Sequence, residues 1–341
     1  MAIQFLSKEV LAQHKPSIAM PAGLQLSDHV REMGRNEKGG RIYEFIGTDT
    51  FGDEWNARVR FEVDAGRDQE PILYLVFYSE IRDANLPKLI DVQKIGPGGV
   101  VFEEVFEGGE VKFASVSSSE ESVAIRHFGV GLEYSKDLVI FNQLWNVSIV
   151  ERQMGIAFNA LLNHLHFNPI LAFSYAAANQ TAANTAGDSI AENYVLTLED
   201  AITNAKADTS NPRRGPYALL VASANMFMWE RALFRVPQQG FSKQSSALDM
   251  IRAVVAYDGW TGTRGAKTTT YSGVSSNKAY LVDLANRDQD LVSYVKQDLE
   301  VTTGNPDVSR FLLDQRVYDV YRGVYCNPLR STEEITLPTT A

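Results

Sequence analysis

Phe106-Glu107-Gly108-Gly109-Glu110-Val111-Lys112-Phe113 opens the stretch that decides the fold. It continues through Ser135-Lys136-Asp137-Leu138 to Asn168-Pro169. Val100 to Phe106 and Val111 to Val116 flank the Gly108-Gly109 turn, a pattern that predicts a long β-hairpin. A hairpin alone is marginal in water, so this one needs support from the body or from another subunit. Val123 to Tyr134 alternates apolar and polar residues, with a change of phase that predicts a bulge near Arg126-His127. Val147, Val150, Met154, Phe158, Leu161 and Leu165 then recur at spacings of three and four. They predict a helix over about 146–168, roughly 30 Å long. Asn142 or Asn146 can cap its start, and Pro169 bars continuation past Asn168. Glu151, Arg152, Asn159 and Asn163 lie on the other side. The apolar face is therefore expected to pack and the polar face to meet solvent or partners.

Outward from this stretch, residues 1–40 hold scattered apolar side chains punctuated by Pro16, Pro21, Gly23, Gly34 and Gly39-Gly40. Ile3, Phe5, Leu6, Leu24 and Leu26 are costly to leave in water, at roughly 1.5–3 kcal/mol each. The segment reads as an ordered arm resting on a neighbour or on its own body. Residues 41–116 read as strand-rich. Val59, Phe61 and Val63 alternate with Arg58, Arg60 and Glu62 as a half-buried strand should. Ile72 to Tyr78 is a continuous apolar run whose periodicity does not separate strand from helix.

Beyond Pro169, residues 174–193 read as a loop of small residues, and Thr197 to Ala207 as a helix capped by Thr197. Arg213-Arg214-Gly215-Pro216 reads as a surface turn. Tyr217 to Ala222 is a buried strand, and a helix follows from about Asn225 to Phe234. Leu248 to Tyr257 is of mixed character, Lys278 to Asp283 is a strand, and Gln289 to Leu299 is amphipathic. Phe311 to Tyr325 favours long strands. Arg330 to Ala341 reads as a polar tail.

The 341 residues are 45% hydrophobic and 22% charged, enough to bury a sizeable core and unlike a disordered chain. No apolar run is long enough to span a bilayer, and Met1 to Val10 lacks the pattern of a secretory signal. Cys326 is the single cysteine, so no disulfide forms within the chain. The formal charge of −10 argues against a dedicated nucleic-acid binder, though not against a container for nucleic acid.

Catalytic and metal motifs are missing from the sequence. Ala266 interrupts the Gly-Lys-Thr order that Gly262 to Thr268 would need to bind phosphate. His164 and His166, two apart on a helix, face different directions and cannot share a metal. Ser275 and Lys278 match Ser-x-x-Lys without any companion motif. The acidic pairs Glu103-Glu104, Glu120-Glu121 and Glu333-Glu334 fall in turns or tails and read as solvated. No catalytic residue, cofactor or metal is expected.

In their order along residues 90–330, these segments resemble the tailed-bacteriophage major capsid proteins, whose Hong Kong 97-like fold is shared with encapsulin shells. Glu107-Gly108-Gly109-Glu110 resembles the acidic turn of that family's extended loop. Val123 to Tyr134 with Ser135-Lys136-Asp137-Leu138 resembles the approach to its spine helix, and Val147 to Phe167 the helix itself. Tyr217 to Val221 with Ala224-Asn225, Asp258-Gly259-Trp260 and Lys278 to Val282 resemble the axial domain. Arg322-Gly323-Val324 with Pro328 resembles the return strand.

The resemblance implies an α+β capsid fold with five parts: an N-terminal arm (1–40), a strand-rich region (41–116) with an extended loop at about 92–113, a peripheral domain (117–214 and 306–330) with the spine helix, an axial domain (215–305) and a C-terminal tail (331–341). It implies intersubunit contacts through Gly98, Gly99, Phe102, Phe106, Gly108 and Gly109, spine packing through the six apolar helix residues above, and an axial loop carrying Arg264 and Lys267. The implied activity is self-assembly into pentamers and hexamers of an icosahedral shell around double-stranded DNA, without sequence-specific binding and without a membrane. Portal and decoration proteins are implied partners. A chain that starts at Met1 further implies a separate scaffolding protein or none. The implied location is the virion, after assembly in the host cytoplasm. No crosslink is expected from Lys88, Lys94 or Lys112. The alternatives are an encapsulin-type compartment with enzyme cargo, and a soluble enzyme of another class.

Overall fold

A computed structural model describes residues 4–6, 61–95, 118–135, 144–234, 248–264, 266–304 and 312–339. Its first sheet has six strands in the order β1 (Gln4–Leu6), β8 (Ile251–Ala256), β7 (Tyr217–Val221), β11 (Lys278–Asp283), β14 (Thr332–Thr336) and β6 (Gln180–Thr181). β11 runs antiparallel to both of its neighbours, while β1, β8 and β7 are mutually parallel. The second sheet has four strands in the order β2 (Ser79–Arg82), β12 (Leu291–Gly304), β13 (Leu312–Cys326) and β5 (Arg126–Ser135). Two antiparallel ribbons stand apart from them: β3 (Leu89–Ile95) with β4 (Ser118–Ala124), and β9 (Gly259–Arg264) with β10 (Lys267–Ser272).

Helix α2 (Leu144–Leu171) joins the layers. Its Phe158, Leu162, Phe167 and Ile170 meet Ala218, Leu220, Val255 and Val282 of the first sheet and Leu291 and Val320 of the second in one core. Tyr217, Leu219 and Val221 point to the other face of the first sheet. There they pack under α3 (Ile190–Ala207) and α4 (Met226–Phe234), with Trp229 fully buried. A strand covered on both faces needs apolar residues at every position, and Tyr217 to Val221 has them.

Helical residues 61–69 (α1) cross α2 almost backbone to backbone. A Cβ at Gly155 would run into the Val63 carbonyl, and one at Gly66 into the Arg152 carbonyl. Arg152 pairs with Glu62 at 2.8 Å, and the Arg67 guanidinium lies 5.3 Å from the Phe158 ring. Phe61 and Val63 are thus helical, not the strand that their alternation predicts. The glycine crossing favours helix, and alternation over a few residues is a weak signal beside such packing. Ile72 to Tyr78 resolves as a 3-10 turn at Tyr74–Val76.

Other expectations change for identifiable reasons. The phase change at Arg126 is a change of sheet: β4 belongs to a ribbon, β5 to the four-stranded sheet, and Ile125 lies between them. Pro169 does not end α2, which reaches Leu171, with Ala172 N donating to Asn168 O at 2.9 Å. A proline this close to a C-terminus removes one donor and leaves little helix to break. Ser189, not Thr197, caps α3, accepting from Glu192 N at 3.2 Å. Thr197 is buried inside that helix and donates to Asn193 O. On either side of Gly265, β9 and β10 pair with their threonines opposite one another, where a loop is expected.

The polar tail is a buried strand, β14, because Glu333 and Glu334 find cations within the fold. The expected limit at 305 cuts across the sheets. Residues 291–304 pair with β13, whereas 332–336 and 180–181 complete the sheet of 217–283.

Gly155→Ala is expected to destabilise the protein by about 1–3 kcal/mol in urea unfolding, the cost of an overpacked contact. Leu162→Ala is expected to cost about 2–5 kcal/mol by the same measurement, and Leu161→Ala clearly less. Leu162 is fully buried, whereas Leu161 lies on the flank of α2.

Candidate assembly surfaces

The β3–β4 ribbon is rooted on the second sheet. Its register runs from Leu89 opposite Ala124 to Ile95 opposite Ser118. Val123 with Leu86, Ile90 and Val92 packs on Val292, Tyr294 and Tyr325. Ile125 N donates to Lys88 O at 2.9 Å, and the Lys296 ammonium donates to Leu86 O. The other side stays open: Leu89 is 57% exposed, and Asp91, Ser122 and Ala124 are exposed too. The two strands bracket residues 96–117, where Gly98, Gly99, Phe102, Phe106, Gly108 and Gly109 lie outside the described residues.

Helix α2 buries its polar side. Asn159 Nδ2 donates to Arg67 O (2.8 Å) and Glu70 O (2.7 Å). One turn on, Asn163 Oδ1 accepts from Leu73 N (2.8 Å) and its Nδ2 donates to Pro71 O (2.9 Å). Glu151 accepts from the Tyr134 and Tyr318 hydroxyls. These three polar side chains are at most 2% exposed, against the expectation that this face meets solvent or partners, whereas Arg152 beside them stays 43% exposed.

Of the six apolar residues expected to pack, Met154 and Phe158 are buried, Leu161 and Leu165 half-buried, and Val150 is 43% exposed. The side chain of Val147 lies outside the described residues. The spacing in the sequence marked the helix but not its buried face. The i, i+4 asparagine pair was the signal for that face, and only side chains able to both give and take hydrogen bonds could have sent it.

His166 is fully buried. Its Nδ1 lies 2.6 Å from Leu162 O and so donates, which leaves Nε2 to accept from Ser293 Oγ at 2.8 Å. The ring stacks on Tyr74 with centroids 3.7 Å apart, and Tyr78 donates its hydroxyl to His166 O at 2.6 Å. Burial takes the imidazole pKa down to about 3, and the nearby Arg322 charge adds to the effect. Tyr74 also joins a polar network across β2, β12 and β13. Arg322 Nη1 donates to Tyr74 Oη (2.7 Å) and Glu80 Oε1 (3.2 Å), and Nη2 donates to Asp298 Oδ1 (3.3 Å). Burial works to raise the Glu80 carboxyl. Hydrogen bonds from Tyr74 and Arg82, with the Arg322 charge, overcome it and bring the pKa below its ordinary value.

A second buried pair locks β14. Arg213 meets Glu333 at 2.8 Å and Asp208 at 3.2 Å, with the Arg213 and Glu333 side chains at most 1% exposed. Burial raises the Glu333 carboxyl, partly offset by Thr181 and Arg213. Nothing in the sequence around Arg213-Arg214 announces a buried cation.

In the β9–β10 ribbon, Arg264 stands opposite Lys267, which is exposed. The root of this ribbon folds over α2, where Tyr271 stacks on His164 at 4.3 Å. Among the described residues no group of three His, Cys, Asp or Glu could hold a metal. No described helix is long and apolar enough to cross a membrane. Burial pushes the Cys326 thiol up to about 12, so it is a poor nucleophile at neutral pH.

No family model matches the sequence, and no curated protein matches it. The fold does match solved structures. The capsid of the cyanophage P-SCSP1u aligns with TM-score 0.51 and 13% identity, over 78% of this chain and 88% of that one. The mature capsid of bacteriophage PhiM1 aligns with TM-score 0.50 and 12% identity, over 78% and 86%. A virus-like particle from Pyrococcus furiosus aligns with TM-score 0.49 and 15% identity, over 84% and 100%. The chain therefore has the Hong Kong 97-like α+β capsid fold expected from its sequence.

His166 gives the fold a defined response to acid. The unfolded chain protonates this ring near its ordinary 6.5, and the folded chain only near 3. Unfolding therefore takes up a proton between these values, and stability falls as the pH drops through that window. Between pH 6 and 4.5 the wild type is expected to lose up to about 2 kcal/mol more than His166→Gln in urea unfolding, at about 1.4 kcal/mol per pH unit.

Proposed function

We propose that the chain is a shell-forming subunit, the major head protein of a tailed bacteriophage. It assembles into pentamers and hexamers that close an icosahedral capsid around double-stranded DNA. The observation that carries this reading is the β3–β4 ribbon: rooted on the second sheet by Val123, Ile90 and Val92, yet presenting its other side outward in a chain with a capsid fold. A two-stranded ribbon is marginal by itself, so a projecting one gains its stability from what it lies on. In this reading it lies across a neighbouring subunit, with Gly98, Gly99, Phe102, Phe106, Gly108 and Gly109 in the contact.

Heterologous contacts of this kind make rings, and a second set joins the rings into a closed shell. Several weak contacts per subunit act together through effective concentration. The segment carrying Arg264 and Lys267 faces the centre of each ring. The net charge of −10 keeps a packed genome from adhering to the wall. Portal, decoration and scaffolding proteins are the partners this role calls for. The virion is its location, after assembly in the host cytoplasm. Assembly, not catalysis, is the activity.

Electron microscopy of the purified protein tests the reading. Round particles are expected, with nuclease-resistant double-stranded DNA in those taken from an infected host. Protein cargo instead of DNA would make the particle an encapsulin-type compartment, and a monomer of fixed size would point to a soluble enzyme. Deleting residues 96–109 is expected to leave a folded subunit, with an unchanged circular dichroism spectrum, that forms no shells. Normal shells from that variant would remove the ribbon from the assembly mechanism.

A further inference from the structure

The larger sheets end in four edge strands, and three of them are short: β1 has 3 residues, β6 has 2 and β2 has 4. The fourth, β5, has 10. Among the described residues its only strand partner is β13. Along such an edge the backbone donors and acceptors of alternate residues point away from β13 and form a template for another strand, and proteins normally shorten, charge or cover such an edge.

The faces of β5 differ sharply. Phe128, Val130 and Leu132 turn toward the core, with Tyr134 buried beside Glu151. His127, Gly129, Gly131 and Glu133 are exposed on the opposite face. The strand registers place them in rows: Gly131 beside Val317 and Thr302, Gly129 beside Asp319 and Glu300, and Glu133 beside Gln315 and Gly304.

Among the described residues nothing requires glycine at 131, and one tight backbone contact bears on 129. A Cβ at Gly131 would first meet Arg316 O at 3.8 Å, an ordinary contact, and neither residue has a positive φ. At Gly129 the nearest atom is Tyr318 O at 3.3 Å, tight by a few tenths of an ångström. Glycine weakens a strand, and in a strand it often marks close approach by another backbone. Val317, 48% exposed, gives the trough an apolar floor. Glu133, Asp319 and Glu300 make it acidic, and these three rows hold no Lys or Arg.

Charge and pattern select the occupant. The ribbon tip, residues 96–117, carries Glu103, Glu104, Glu107 and Glu110 against Lys112, so the trough repels it. Arg41-Ile42-Tyr43-Glu44-Phe45-Ile46, outside the described residues, alternates Arg41, Tyr43 and Phe45 with Ile42, Glu44 and Ile46. We propose that β5 takes residues 41–46 of a second copy of this chain as an added antiparallel strand. Arg41 stands opposite Glu133, Tyr43 opposite Gly131 and Phe45 opposite Gly129. The aromatic rings fill the space that the glycines leave, a cross-strand pairing that supports edge glycines. Ile42 and Ile46 fall beside Leu132 and Phe128, and Glu44 falls beside half-buried Val130. This rests on the reading that the subunits assemble, and names one seam between them.

Gly131→Thr tests it, because the subunit has room for the side chain and threonine favours strands. The isolated variant is expected to unfold at the wild-type midpoint or above it, and to lose at least tenfold in shell yield by sedimentation. A second measurement mixes Tyr43→Cys chains with Gly131→Cys chains during assembly and adds a short bis-maleimide. A band of two joined chains is expected on a denaturing gel. Wild-type shells accompanied by normal shells from Gly131→Thr, or joining only within one chain of the doubly substituted protein, overturn this seam and leave the shell reading intact. A wild-type protein that stays monomeric overturns both.

Discussion

Two asparagine amides on one helix hold this structure together at its centre. Residues 67–73 leave α1 and turn toward the second sheet, and their backbone groups have no strand to pair with. Asn159 and Asn163 supply that pairing, giving and taking four hydrogen bonds with Arg67, Glu70, Pro71 and Leu73. An unpaired backbone group in such a place costs about 1–3 kcal/mol, and an amide side chain, with two N–H donors and a carbonyl acceptor, can serve backbone groups of both kinds. The close crossing at Gly66 and Gly155 brings the segment within reach of those amides. With the segment fixed, Leu73, Phe77 and Tyr78 enter the core that α2 shares with both sheets, and β2 aligns on β12.

Polar groups also specify how the sheets are completed. Arg322 and Arg213 are each almost fully buried and each answered by carboxylates from distant parts of the chain. Buried ion pairs add little net stability compared with a well-packed apolar substitute, but breaking one is costly because it strands a charge. Each pair joins an outer strand to the body: Glu333 of β14 meets Arg213, and Glu80 of β2 meets Arg322. The ribbon root depends on that order in turn, since it packs on Val292, Tyr294 and Tyr325 of the same sheet.

The large elements were legible from the sequence because their signals are local. Tyr217 to Ala222 reads as a buried strand, Lys278 to Asp283 as another strand, and the three-and-four spacing through Phe158 marks a long helix. The errors arose where a distant residue decides the outcome. Val59 to Val63 alternates like a strand, but the Gly66–Gly155 crossing makes its later part helical. Glu333-Glu334 reads as solvated until Arg213 and Lys278 are seen beside it. Asn159 and Asn163 look like a wet surface because their partners are backbone atoms some ninety positions upstream. The Gly108-Gly109 turn and its neighbours lie outside the described residues, so this part of the candidate surface rests on the strands that bracket it.

The pairing of β5 with β13 also governs how the chain reaches its native state. Glu133 and Gln315 meet in that pairing although 182 positions separate them. Contacts so far apart in sequence form late and slowly, because a long loop must close before any of them is gained. Until β13 is made, β5 lacks the one strand partner it has among the described residues and is open to other nascent chains. Aggregation should therefore compete with folding most strongly early in synthesis, and soluble yield should rise when translation is slowed or chaperone capacity is increased.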